Sequence, residues 1–430
     1  MSAMGVLLGL LIMFALLLVG IPIGPIMMSL GMAGGWLAYG QPFLDSIGSV
    51  IWGVHNDNML TAIPVFILMG ELLLRGGIAD GMYRGLSVWL TGVPGGLLHS
   101  NIGCSALFAA TTGSSVACAA TIGTVALPEL DKHGYDKPMA LGSLAAGGTL
   151  GILIPPSVAL LVYGSLTNNS ISKLFVGGVI PGVLLTLSFS AYIFMEAMRR
   201  PTAGSEQRAT WRERLAATPL LLPPLIVFSV VMGSIYFGIA TPTEAAALGI
   251  GVAILFAWQA GRLSIAMLNP CFIRTAQLTG MILLIITGAF VLNLALSMLG
   301  VAQAMTKLVV DMQLSLNMLM LALIVFYIIL GCFLDVLAMQ VATIPIVYPI
   351  VTAVGGDAIW LGVFIVLMSE IGMITPPVGM NLFVIQGVRR DGGPLRDVIQ
   401  GAWPYVIIML LFTLLLIMFP GLVTWLPRQM

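Results

Sequence analysis

An apolar segment of helix length, GGTLGILIPPSVALLVYG at 147–164, is cut at its middle by a Pro-Pro pair. An altered version, EIGMITPPVGMNLFVIQG, occupies 370–387. Proline has no N–H to donate and its ring collides with the carbonyl one turn earlier, so neither segment can run as one continuous helix. Pro155-Pro156 and Pro376-Pro377 lie 221 residues apart, and the same offset relates Pro128 to Pro349, Gly151 to Gly372, Gly134 to Gly355 and Asp136 to Asp357. So many helix-breaking and turn-forming positions on one offset indicate a duplicated unit. Paired broken helices in the two halves of a membrane protein are the strongest sequence pointer to a transporter binding site.

The surroundings of the breaks suit lipid. The chain of 430 residues is 59% hydrophobic and 8% charged, with a mean hydropathy of +1.08. A soluble domain carries about 25% charge. An all-α polytopic membrane protein is therefore expected, and at about 20 residues per span roughly a dozen spans fit. The formal net charge of zero gives no support to nucleic-acid binding. Cys104, Cys118, Cys271 and Cys332 lie in apolar segments without CxxC spacing and read as buried thiols. His55, His99 and His133 are scattered and form no metal motif.

The hydropathy pattern predicts spans at 4–20, 26–44, 50–72 and 77–94, a re-entrant hairpin at about 96–131, a broken helix at 138–165 and a span at 172–198. After a polar loop at 199–218 come spans at 219–238, 242–260, 271–290 and 291–308, a second hairpin at about 314–353, a second broken helix at 358–387 and a span at 397–419. The stretches 77–94 and 299–313 are less apolar and suit the membrane interface. Residues 1–20 lack a basic leader and a cleavage site, so they read as a first span rather than a signal peptide.

The polar loop holds five arginines, which places it in the cytoplasm. Threading outward from it puts all 17 basic residues except Lys173, Lys307 and Arg428 on cytoplasmic ends. Gly134 then faces the cytoplasm and its counterpart Gly355 the periplasm. The units 1–198 and 219–430 thus form an inverted repeat with both termini periplasmic.

In hydrocarbon every backbone group needs a partner. The Pro-Pro pairs free carbonyls in Gly151-Ile152-Leu153-Ile154 and in Gly372-Met373-Ile374-Thr375. Such carbonyls can coordinate a small cation, and the following half-helix N-terminus can attract an anion. A kink satisfied by neighbouring helices is the plain alternative, weakened here by the matched pair of breaks. The first hairpin carries Ala109-Ala110-Thr111-Thr112-Gly113-Ser114-Ser115 at its tip, and the matching region is Leu330-Gly331-Cys332-Phe333-Leu334-Asp335. Hydroxyl oxygens suit sodium, although small residues also serve close helix packing. Asp335 can bind a cation, take a proton or cap a helix. Glu370 is expected near the membrane face, Glu244 in a capping box with Thr241, and Glu71 paired with Arg75. Asn381 stands one turn past Pro377, where the first unit has Leu160. That asymmetry suits one substrate site between two similar cation sites.

The runs GGLLHSNIGCSALFAATTGSSVACAATIGTVALPEL, GGTLGILIPPS, LFVGGVIPG and SEIGMITPPVGMNLFV together resemble the large membrane subunit of tripartite ATP-independent periplasmic (TRAP) transporters, across nearly the whole chain. The resemblance implies an elevator-type transporter in the bacterial inner membrane, with a scaffold holding a transport domain of two hairpins and two broken helices. It implies two partners: a small four-helix membrane subunit, and a periplasmic substrate-binding protein that delivers an organic anion. It also implies sodium ions, two or more, as the driving co-substrate. By position, one sodium site involves Thr112, Ser115, Gly151, Ile154 and Pro156, and the other Gly331, Gly372, Thr375 and Val378. The substrate falls to Ser114, Ser115, Asp335 and Asn381.

The function expected is sodium symport of a carboxylate, sialic acid or sulfonate type of anion. The nearest rival is a stand-alone divalent-anion:sodium symporter that needs no binding protein. An intramembrane hydrolase is disfavoured because GxSxG and HExxH are absent, and an ATP-driven pump because no GxxxxGK[ST] loop exists. A channel would pass ions without an organic substrate. No enzymatic activity is expected.

Overall fold

The computed structural model describes residues 9–430 except 10, 14, 18 and 200–208, so part of the expected span 4–20 and of the loop 199–218 lies outside the described residues. Glycine and proline set the helix boundaries. α1 (Ile23–Tyr39) ends at Gly40, whose φ of 68° favours glycine, and α2 (Gln41–His55) begins at once with Pro42 in its first turn. α3 (Ala62–Arg75) is followed by left-handed Gly77 and turns by 65° into α4 (Ile78–Leu90). α5 (Gly96–Thr112) and α6 (Ser115–Lys132) form one helix pair, and α7 (Lys137–Leu153) and α8 (Val158–Thr167) are the halves of the first interrupted segment. α9 (Ile171–Arg199) follows.

Beyond residue 208 come α10 (Trp211–Ala217), α11 (Leu222–Tyr236), α12 (Pro242–Gln259), α13 (Ile265–Met298) and α14 (Val301–Asp311). A second helix pair, α15 (Leu316–Gly331) and α16 (Val336–Ala353), precedes the second interrupted segment, α17 (Ala358–Met373) and α18 (Met380–Val388). α19 (Leu395–Met418) and the short α20 (Gly421–Thr424) complete the chain. Among the described residues every regular element is helical.

Among the described residues six helical stretches, with α7 and α8 taken as one, are long and apolar enough to cross a membrane, or eight if each strongly bent pair is one span. The expected division of 271–308 into two spans is wrong. α13 runs unbroken for 34 residues, and the chain turns only at left-handed Gly300 before α14. At 1.5 Å per residue such a helix is about 50 Å long, so its length invited a cut that no residue in its second half enforces. The expected spans 26–44 and 50–72 are themselves interrupted, at Gly40 and at turns over 56–61. The expected pairing of Glu71 with Arg75 is present at 3.2 Å. So is the Thr241–Glu244 capping box.

Two helices have no solvent or lipid face. α7 is buried continuously from Ala140 to Leu153, and α17 from Trp360 to Met373. An all-round apolar helix of this kind belongs at the centre of a membrane bundle. α7 and α17 pack on each other there, with α5 and α6 against α7 and with α15 and α16 against α17. α6 also packs on α18, and α8 on α16. Lipid tails are as apolar as leucine, so close backbone approach rather than hydrophobic burial holds such helices together. Gly142 on α7 and Gly401 on α19 illustrate it: a Cβ on Gly142 would stand 2.0 Å from the Gly401 carbonyl oxygen. A separate group contains α1, α3, α11, α12 and α13, in which Gly24 and Gly31 of α1 lie on the backbone of α13. Outward-facing apolar side chains such as Leu187, Leu255, Val325 and Leu411 cover the periphery, as a lipid-facing surface requires.

Candidate functional site

The two helix pairs turn on side-chain caps. Ser114 Oγ accepts from the Ala117 amide at 3.4 Å and opens α6; Asp335 Oδ1 accepts from the Ala338 amide at 3.0 Å and opens α16. These residues are related by the 221 offset. Asp136 and Asp357, another related pair, cap α7 and α17. An oxygen acceptor here satisfies amides that the first helical turn leaves free. Of the roles open to Asp335 in the sequence, the cap is the one its contacts display. Thr112 Oγ donates to the Phe108 carbonyl at 3.1 Å, still within α5. Gly113, at φ 59°, makes the turn.

Each turn rests on an interrupted segment. A Cβ on Gly113 would lie 2.9 Å from the Pro156 carbonyl oxygen, and one on Gly151 would lie 2.8 Å from the Ser114 carbonyl oxygen. The first turn therefore sits directly over the first Pro-Pro pair. On the other side Gly331 and Gly372 cross with no room between them: a Cβ on Gly372 would meet the Gly331 Cα at 2.6 Å. Cys332 Sγ donates to the Pro376 carbonyl at 3.2 Å. Both Pro-Pro bonds are cis. Because prolines lack N–H groups, the carbonyls of Gly151, Ile152 and Met373 lose their helical donors.

The structure thus brings Gly151 to Ser114 and Ser115, Gly113 to Pro156, Gly331 to Gly372 and Cys332 to Pro376, with Thr112, Ile154, Asp335, Thr375 and Val378 flanking these contacts in sequence. Thr375 donates its hydroxyl to the Ile371 carbonyl at 2.6 Å. Val378 is 42% exposed, so only its backbone can belong to an enclosed site. The side chains of Ala110 and Thr111 lie outside the described residues. Asn381 is fully buried, and neither atom of its amide has a partner. A Cβ on Gly148 would lie 2.9 Å from its Nδ2.

Glu370 is wholly buried within the protein, and its Oε1 accepts from the Ser115 hydroxyl across the two halves of the chain. The signal present in the sequence is an acid flanked on both sides by the apolar run of α17, six residues before a Pro-Pro break. Among the described residues no group of three His, Cys, Asp or Glu side chains forms a metal centre. The oxygen donors at the breaks are carbonyls and hydroxyls, with Glu370 and Asp335 nearby.

At the far ends of α6 and α18 lies a cleft of about 200 Å³, lined by the charged groups Asp131, Lys137 and Arg389–Asp391 and by apolar Leu127, Leu141 and Val388. Lys137 pairs with Asp131 and Asp391, and Arg389 pairs with Asp391 and Asp397. Arg389, followed by the Gly393 amide and Lys137, holds the Asp391 carboxyl well below the usual carboxylate range. This network joins the first half of the chain to the connection between α18 and α19.

Interrupted helices at the centre of a lipid-facing bundle, each met by a helix turn, define a polytopic membrane transport protein. Residues 10–422 match the family described as Tripartite ATP-independent periplasmic transporter, DctM component. The chain is 34% identical to the C4-dicarboxylate TRAP transporter large permease protein DctM of Pseudomonas aeruginosa, over 93% of this chain and 94% of that one. It is 32% identical to the isethionate TRAP transporter permease protein DctMQ of Oleidesulfovibrio alaskensis, over 95% of this chain and 64% of the longer relative. The solved YdaH transporter of Alcanivorax borkumensis shares the fold, with a TM-score of 0.64 over 93% of this chain and 96% of that one at 12% identity. The chain belongs to the large permease family of TRAP transporters.

Proposed function

We propose that this protein takes up an organic anion by sodium symport across the bacterial inner membrane, as the large subunit beside a small four-helix membrane subunit. A periplasmic binding protein delivers the anion. Sodium is a co-substrate here, held at the two Pro-Pro breaks by carbonyl and hydroxyl oxygens from Thr112, Ser115, Gly151, Ile154 and Pro156, and from Gly331, Gly372, Thr375 and Val378. The observation that carries the reading is the seating of both helix turns on the breaks, Gly113 against Pro156 and Gly331 against Gly372. Cations at those junctions complete a cavity whose cargo contacts are Ser114, Ser115, Asp335 and Asn381. The anion is a carboxylate, sialic acid or sulfonate type; names of relatives with C4-dicarboxylate and isethionate support that range.

The two units are inverted with respect to each other, and the hairpins and interrupted helices move together as an elevator. Enclosure of charge is what permits that movement, because unneutralised charge opposes passage through the low-dielectric layer. Two sodium ions with a monoanion move one net positive charge, a gain of about 2.3 kcal/mol per 100 mV. Uptake in proteoliposomes holding the purified small subunit and binding protein tests the reading. Sodium replaced by potassium is expected to abolish uptake; unchanged uptake rejects the coupling. Full uptake by this chain alone would instead favour the stand-alone symporter.

A further inference from the structure

The bond between Ser115 and Glu370 has no counterpart in the other half. Under the 221 offset Ser115 corresponds to Val336 and Glu370 to Thr149, whose hydroxyl faces the Ala146 carbonyl on its own helix at 2.6 Å and the Met409 sulfur at 3.7 Å. One half of the molecule thus carries a buried acid where the other carries a closed, neutral hydroxyl. Glu370 is 0% exposed, and its second oxygen, Oε2, has no partner. Among the described residues no Lys, Arg or His pairs with it. An ion buried without a countercharge is costly in a protein interior and more so in a bilayer.

A second observation points to the same spot. Asn381 is 0% exposed with both amide atoms unpartnered. A Cβ on Gly148 would lie 2.9 Å from Asn381 Nδ2 and 3.3 Å from the Ser115 carbonyl oxygen, so the amide and the Ser115 backbone both pack against Gly148. Buried polar atoms are nearly always satisfied, so unpaired ones mark a place where a missing partner binds. We propose that Glu370 is the anionic ligand of a monovalent cation held between the first helix turn and the second interrupted segment, with oxygens of Ser115 and Asn381 completing the donor set. All donors are oxygens, which suits a hard cation, and a single carboxylate neutralises one positive charge. Because Ser115 lies in the first half and Glu370 and Asn381 in the second, the ion ties the halves together. Occupancy at one break is then felt at the other.

This inference rests on the sodium reading above, and the test separates the two. The full chain is purified in detergent and its unfolding temperature followed against sodium, with potassium holding ionic strength constant. The wild type is expected to gain stability with sodium. Glu370→Gln is expected to need at least tenfold more sodium for half its gain, while its sodium-free stability is no lower than wild type, because the uncompensated charge is gone. Asn381→Ala, which keeps the charge, is expected to shift the sodium midpoint in the same direction by less. A Glu370→Gln protein that titrates with sodium as the wild type does overturns the inference and leaves sodium coupling standing. If that variant does not fold, an unchanged sodium midpoint in Asn381→Ala overturns it. A wild type indifferent to sodium removes both readings together.

Discussion

At the first break Ile154 and Pro156 are buried, and Ser157 caps α8 by accepting from the Leu160 amide at 3.3 Å. At the second, Pro377 and Val378 face outward, and left-handed Gly379 opens α18 with no side-chain cap. The backbone chemistry is the same, since both breaks strip helical carbonyls of donors, but the cover differs. The first break is sealed inside the bundle, and the side-chain hydroxyls of Thr112, Ser114, Ser115 and Ser157 around it have partners. The second is open on one side and carries the unsatisfied buried groups, Glu370 and Asn381. One break is thus enclosed and the other approachable, a difference that suits the single shared cargo site proposed above.

The largest expected effect tests what the breaks have in common. Gly372→Ala would drive a methyl group into the Gly331 backbone, which cannot retreat. Overpacking of this kind costs about 1–3 kcal/mol or more. A marked fall in unfolding temperature is expected, with Gly387→Ala, where a Cβ meets open space, as the unaffected control. Thiol labelling addresses what differs: Val378→Cys is expected to react far faster with a soluble reagent than Ile154→Cys, and equal rates would erase the sealed-versus-open contrast.

The two helix starts sharpen the comparison further. Gly379→Ala places a methyl at φ 43° against the Thr375 carbonyl, and about 1–2 kcal/mol of destabilisation is expected. Ser157→Ala removes only a cap, for about 1 kcal/mol. Unfolding temperatures should rank the two in that order.

The smallest effect lies at the exits. α8 leaves through left-handed Asn168 and through Asn169, whose amide donates to Tyr348. α18 leaves through the Arg389–Asp391–Asp397 network. Because Arg389 above all depresses the Asp391 carboxyl, this group's contribution to stability is complete above the ordinary carboxylate value of about 3.9 and is lost as pH falls through its lower folded-state value. Asp391→Asn is expected to remove that acid-side decline, with a slight loss at neutral pH. An unchanged acid profile would show that the network is a solvated surface pair.

The breaks were legible because two adjacent prolines act locally: Pro155-Pro156 and Pro376-Pro377 interrupt helices, whereas the single prolines Pro128, Pro181 and Pro349 lie inside α6, α9 and α16. The capping roles of Asp136 and Asp357 follow from the same local logic. The apolar run around Glu370 hinted at its burial, but its partner was not legible, because the donor that meets its carboxylate comes from residue 115, far away in sequence. The continuity of α13 was missed for the opposite reason. Its length exceeds a bilayer core, yet no residue in its second half breaks it. Asn381 was noticed as a polar residue past the break, but its unpaired amide emerges only from packing against Gly148.

The most direct measurement of the central claim, two oppositely oriented units, is the sidedness of matched positions. Lys132 and Ala353 are both exposed, end α6 and α16, and stand 221 residues apart. With an impermeant thiol reagent on intact cells, scored against the parent chain, Ala353→Cys is predicted to label from the periplasm and Lys132→Cys only after the membrane is opened. Both positions labelling from the same side would contradict the account.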